Sequence, residues 1–174
     1  MVETRVCPGC GLEMPRSDRS YDHYFNASPE CWSLFGEIEA REFENPAILG
    51  RVHQLTVDTY AVRHAGGPHP DKSVCIHLVG LYLALERGML PERIRPLQQR
   101  LAARGAWPHL EPPREREWLT TYDVALAASP EEHIRLVRQW AEQVWHAWRE
   151  HHAVARALAE EVLSERQPQI DIRR

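Results

Sequence analysis

The sequence predicts an all-α protein: a helical bundle of about five to six helices, with a small cysteine-bearing appendage at its N-terminus. Three observations predict it. Proline and glycine punctuate the chain as they punctuate helices, with Pro just inside a start and Gly just past an end. Apolar residues recur at helical spacing, most clearly along Val137, Ala141, Val144, Trp148, Ala155 and Val162. No convincing alternating strand is visible beyond a few residues around the cysteines.

The elements follow in order. Ser28-Pro29 opens a helix expected to run to about Phe43, and Asn45-Pro46 opens a second that Gly66-Gly67 stops. Pro70 begins a third, closed by Gly88, and Pro91 a fourth, closed by Gly105, which Pro96 should kink or shorten. Residues 105–117 read as a loop, and a short helix is expected around TTYDVALAA. Ser129, Pro130 and Glu132 supply an N-cap, an N1 proline and an N3 glutamate, which together make a capping box. From there one unbroken helix is expected to about Leu163, with Trp140 and Trp145 widening its apolar stripe. The expected organisation is one compact domain: a cysteine-bearing segment over 1–32, a bundle over 28–164 and a loosely held tail over 165–174.

Length and charge narrow the classes of function. A chain of 174 residues is long enough to bury a core, and 43% apolar with 26% charged residues is ordinary for a globular protein. No apolar run approaches the eighteen or so residues that span a bilayer, so no membrane association is expected. MVETRVCPGC lacks the basic start and apolar stretch of a secretory signal, so the expected location is cytoplasmic and the four cysteines should be thiols or metal ligands. A net charge of −4 argues against nucleic-acid binding. Arg95, Arg100, Arg104, Arg114 and Arg116 crowd one region, where a solvated face is the plain explanation.

CPGCG at residues 7–11 is a knuckle: two cysteines two apart, with a following glycine free to take the positive φ such a turn needs. A thioredoxin-like redox role would want a βαβ setting, which is absent from the pattern. The knuckle offers two ligands and zinc takes four. Cys31 is the third candidate, at N3 of the Ser28-Pro29 helix, where free N–H groups and the helix dipole favour a thiolate. His23 is the fourth candidate, in the loop YDHYF. Cys75 is its rival, although a mid-helix cysteine between Val74 and Ile76 reads more simply as core. The expectation is a closed, structural zinc-knuckle site on Cys7, Cys10, His23 and Cys31.

CPGCG, SPECW, HQLTVDTYAVRHAGG, SVCIHLVGLYLALERG and WAEQVWHAWREHH occur in that order between residues 7 and 152. Together they resemble a family of uncharacterised bacterial proteins, a domain of unknown function. The resemblance implies a shared fold and shared sites and brings no activity with it. Members often read Gln-His-Pro-Gly where this chain reads Arg63-His64-Ala65-Gly66, a departure that weighs against a catalytic part for residue 63.

Ten histidines raise the question of a second site. His53, Tyr60 and His64 share one line of the second helix, but His53 and His64 lie about 16 Å apart along it, so one ion cannot take both. If the second and third helices pair antiparallel, Asp58 comes level with His77, with His53 about a turn away, and could orient a histidine. His151 and His152 fall within the arc between Trp140 and Trp145. His53, Asp58, His77, His151 and His152 therefore form a possible second site inside the bundle, set against packing histidines satisfied by their neighbours. DinB-like bundles, which hold a metal on three histidines, are similar by analogy only, because the adjacent pair here departs from their spacing.

Two functional expectations follow. One is a zinc-clasped bundle that binds a protein partner or a small ligand, with a homo-oligomer compatible. The other is a metal-dependent enzyme, a hydrolase or thiol transferase, that uses the interior histidines.

Overall fold

The computed structural model describes residues 3–21, 23–115 and 119–164. The expected tail over 165–174 and Arg116 lie outside the described residues. Two short strands, β1 (Thr4–Val6) and β2 (Glu13–Pro15), pair antiparallel with Arg5 opposite Met14 and so bracket the cysteine knuckle. Seven α-helices follow among the described residues: α1 (Pro29–Glu44), α2 (Pro46–Arg63), α3 (Asp71–Leu85), α4 (Pro91–Leu101), α5 (Thr121–Ala125), α6 (Pro130–Ala147) and α7 (His152–Ser164). Among the described residues, no helix is long and apolar enough to cross a membrane.

The helix starts obey local chemistry. Ser28 accepts from the Cys31 N–H, Asn45 from Ala47 and Ser129 from Glu132, and a proline follows each cap at N1. At Ser129 the reciprocal half of the expected capping box shifts by one residue, because the Glu132 carboxylate accepts from the Ala128 N–H at 2.8 Å. A full box sits at Thr120 and Asp123 instead. Replacing Ser129 by alanine should cost about 1 kcal/mol in a denaturant melt. Pro96 sits inside α4 without ending it.

α2 is the central helix. It packs on α1, α3 and α6, and α3 in turn packs on α4 and α7. This position explains why α2 buries polar residues among its apolar ones, including Thr56, Asp58, Thr59 and Arg63. The stripe from Val137 to Val162 is buried throughout, and Trp140 and Trp148 are among the largest wholly buried side chains.

The single long helix expected over 130–163 is instead broken. α6 ends at Ala147, Trp148 takes φ −84° and ψ 14°, a 3-10 turn covers Arg149–His151, and α7 starts at His152. The two halves differ in their main partners, α2 for α6 and α3 with α4 for α7, so the chain must bend between them. No glycine or proline marks the bend. Two adjacent histidines serve it: His152 Nε2 donates to the Trp145 carbonyl at 2.8 Å while its ring stacks on Trp145 at 3.6 Å, and His151 Nε2 donates to the Glu111 carbonyl at 2.9 Å. The first bond adds a donor to a carbonyl in the last turn of α6, and the second ties the bend to the loop between α4 and α5.

Candidate metal centre

The knuckle turn closes on itself: the Cys7 N–H donates to the Leu12 carbonyl and the Gly11 N–H to the Cys7 carbonyl, with Gly11 at φ 81°. Both cysteines are buried and face the first turn of α1. There Cys31 is held at N3 by the Ser28 cap. The Cys10 and Cys31 sulfurs are 3.7 Å apart, and Cys7 Sγ accepts from the Ser28 N–H at 3.4 Å.

The side chain that completes this group is His64, at the C-cap of α2. Its Nε2 lies 3.3 Å from Cys31 Sγ, and the ligand atoms of Cys7, Cys10, Cys31 and His64 all lie within 4.8 Å of one another. His64 Nδ1 is 2.8 Å from the Tyr60 carbonyl, which can only accept. Nδ1 therefore carries a proton, and Nε2 is the ring nitrogen turned toward the three sulfurs. Tyr60 fixes the ring further, packing on His64 at 4.0 Å and stacking on Phe35 at 3.9 Å. The His64 carbonyl is held by the Asn26 N–H and by His69 Nδ1.

This placement corrects the expectation for His23. His23 is exposed at φ 59°, its ring meeting the edge of Tyr21, and it is no member of the cluster. The physical reason is the way the knuckle docks. Asn26 bonds through backbone and side chain to residues 64 and 65, which pins the loop after the knuckle against the end of α2 and turns its tip outward. Gly9 is part of the same fit. A Cβ there would overlap the Asn26 carbonyl and come within 2.7 Å of His64 Cδ2, so only glycine lets the knuckle lie against the imidazole. Cys75 stays apart, its thiol donating to the Pro108 carbonyl, and burial pushes it up to about 11.

The charges in the cluster are strongly coupled. Hydrogen bonding with Cys10 and Cys31 holds the Cys7 thiol far below the ordinary cysteine range. Hydrogen bonding with Cys10 and Cys7, together with burial, pushes Cys31 far above it. Thiols packed together divide in this way, because the second proton must leave against the charge of the first. Burial works against a charged His64, but hydrogen bonds to Cys10 and Cys7 outweigh it and raise the imidazole to about 9. A metal dication would satisfy all four groups together, so the donor set fits a metal ion.

The expected second site is not assembled. His53 Nδ1 donates to Glu42 at 2.7 Å, and His77 Nδ1 to Asp58 at 2.7 Å. His151 donates to the Glu111 carbonyl in the loop between α4 and α5, and His152 to the Trp145 carbonyl near the end of α6. Each imidazole is satisfied where it stands, which is the ordinary fate of a buried polar group. Among the described residues, the Cys7, Cys10, Cys31 and His64 group is the one cluster arranged to hold a metal ion. Three of the arginines noted in the sequence are similarly engaged: Arg95 donates to Gln54, Arg100 to the Val162 carbonyl, and Arg104 pairs with Glu161.

His64 did carry one signal in the sequence. It stands two residues before Gly66-Gly67, at the end of a helix rather than within one, as Cys31 stands at a helix start. That signal places it on the rim of the bundle without saying which rim. No curated protein and no solved structure matches the chain. Residues 5–149 match the model of DUF5946, a family of unknown function, and the chain belongs to that family.

Proposed function

We propose that Cys7, Cys10, Cys31 and His64 hold one structural zinc ion that ties the N-terminal knuckle to the bundle, and that the protein works by binding a small ligand or a protein partner. The observation that carries this reading is His64 Nε2 facing three buried sulfurs while Nδ1 is held by the Tyr60 carbonyl. Thiolate and imidazole donors select zinc over the hard cations, which prefer oxygen. Tetrahedral zinc with sulfurs at about 2.3 Å spaces them about 3.8 Å apart, and the Cys10–Cys31 separation is 3.7 Å. Four protein donors fill the coordination sphere, the mark of a structural rather than a catalytic zinc. The Ser28 N–H and the Thr121 hydroxyl lie 3.4 Å from Cys7 and Cys31 sulfur and temper their negative charge. Buried thiols of this kind suit a reducing, cytoplasmic setting.

The alternative of a metal-dependent hydrolase or thiol transferase rested on the interior histidines, and these are engaged separately. Metal analysis of purified protein tests the proposal. One zinc per chain is expected, retained by His23→Ala and Cys75→Ala but lost at least in part by His64→Ala. Cobalt substitution should give the absorption of tetrahedral sulfur-rich coordination. Full zinc in His64→Ala, or its release by His23→Ala, would contradict the proposed ligand set.

A further inference from the structure

A cavity of about 320 Å³ lies between α2, α3, α4 and α6, and none of the four metal-centre residues lines it. Leu55, Leu85, Met89 and Ile94 give it apolar walls, and the exposed Arg51, Arg138 and Glu142 stand at its solvent side. Gln54 and Asp58, on successive turns of α2, supply the rest of its polar lining. Asp58 is wholly buried, and its two oxygens differ. Oδ1 accepts from His77 Nδ1 at 2.7 Å, Gln98 Nε2 at 2.9 Å and Gln54 Nε2 at 3.1 Å. Oδ2 accepts from no described residue, and it is the one buried carboxylate oxygen among the described residues without a partner. No arginine or lysine among the described residues pairs with Asp58; Arg95 donates instead to Gln54 Oε1 at 3.2 Å. Gly80 makes the room that Oδ2 occupies. A Cβ there would overlap the oxygen, so α3 carries a glycine in mid-helix at a cost of about 1 kcal/mol against alanine. One turn further along α3, Ala84 lines the cavity, which places the free oxygen at its inner end. A buried oxygen of this kind is costly, and such atoms in folded proteins nearly always have a donor.

We propose that this cavity binds a primary ammonium carried on a small apolar body, with Asp58 as the residue that holds the ammonium. An ammonium brings N–H donors and a positive charge to a carboxylate that has one oxygen free and no basic side chain but an imidazole beside it. The apolar walls take the body, and a volume near the lower end of ligand pockets, roughly 300 Å³, keeps that body small. The inference deepens the small-ligand half of the reading above, on which it rests, and does not depend on the metal.

The test is calorimetric titration of the full, zinc-loaded chain at about pH 7, where an aliphatic amine is charged as a lysine is. Three probes share one ring: phenethylamine, 2-phenylethanol and phenylacetate. Phenethylamine should bind saturably at one per chain, and the neutral alcohol should bind about tenfold more weakly or worse, the worth of a charged hydrogen bond. Asp58→Asn, which keeps the shape and removes the charge, should bring the amine down to the level of the alcohol. Ala84→Phe, which fills the cavity from α3 without touching the charge, should abolish binding of both. The comparison of probes needs no variant, so it decides the matter even if Asp58→Asn fails to fold. No saturable binding of the amine, equal binding of amine and alcohol, or preference for phenylacetate at the exposed arginines overturns the proposal. Zinc is counted in the same samples. A chain that lacks zinc yet binds the amine through Asp58 sinks the metal reading alone, and a zinc-loaded chain that ignores the amine sinks this proposal alone.

Discussion

With the proposed zinc bound by the parent protein, Cys31→Ser is expected to lose the metal and to melt more than about 10 °C lower. Cys31 is the hinge of the centre. Its sulfur lies 3.7 Å from Cys10, 3.3 Å from His64 and 3.4 Å from Thr121, so it joins the knuckle and the start of α1 to the end of α2 and the start of α5. Serine keeps the volume but offers a hard hydroxyl in place of a soft thiolate, which zinc takes poorly. The stake is large because a structural zinc contributes its binding free energy to folding, on the order of 10 kcal/mol in small zinc peptides. The knuckle has two three-residue strands and little core of its own to make up the loss. Thermal melts beside metal analysis read the result, with Cys75→Ser as the comparison. A Cys31→Ser protein that keeps a full complement of metal would remove Cys31 from the ligand set.

The second large effect belongs to Glu42, at the end of α1. Its carboxylate is wholly buried and accepts from three side chains: His53 Nδ1 at 2.7 Å, His133 Nε2 at 2.8 Å and the Thr56 hydroxyl at 2.6 Å. It thus fastens α1 to α2 and α6 through a carboxylate with no exposed surface. Glu42→Ala would leave buried donors without an acceptor and should cost about 3–5 kcal/mol in urea unfolding. A loss below about 1 kcal/mol would mean that the donors find other partners and that Glu42 is no keystone. The same group carries a pH dependence of definite sign. Burial opposes its ionisation, but hydrogen bonds from His133, His53 and Thr56 outweigh that and hold the carboxyl below its usual range. A carboxyl depressed in the folded state stabilises the fold above the unfolded value near about 4.3 and loses that contribution as pH falls through the folded one. Stability of the parent should therefore drop more steeply below about pH 4 than that of Glu42→Ala.

The residues that determined structure by themselves did so through short-range chemistry. Ser28, Asn45 and Ser129 cap helices because their oxygens reach an N–H two or three residues on, and the prolines after them are suited to N1 in any context. The knuckle at Cys7–Cys10 and the place of Cys31 at N3 are likewise local. The buried stripe follows from helical period within each half, Val137 to Val144 on α6 and Ala155 to Val162 on α7. Docking decided the rest. His64 is 33 residues from Cys31, and it reaches the sulfurs because the end of α2 meets the start of α1, with Gly9 leaving room for the ring. His23 is nearer in sequence, yet the hold of Asn26 on residues 64 and 65 turns it to solvent. The break at Trp148 has no glycine or proline behind it, only the need of α6 and α7 to lie on different neighbours. Caps, turns and period act over about four residues and so are written in the sequence. Which helix end meets which, and which carboxylate or carbonyl each histidine finds, depends on how whole faces pack, and only the tertiary structure settles that.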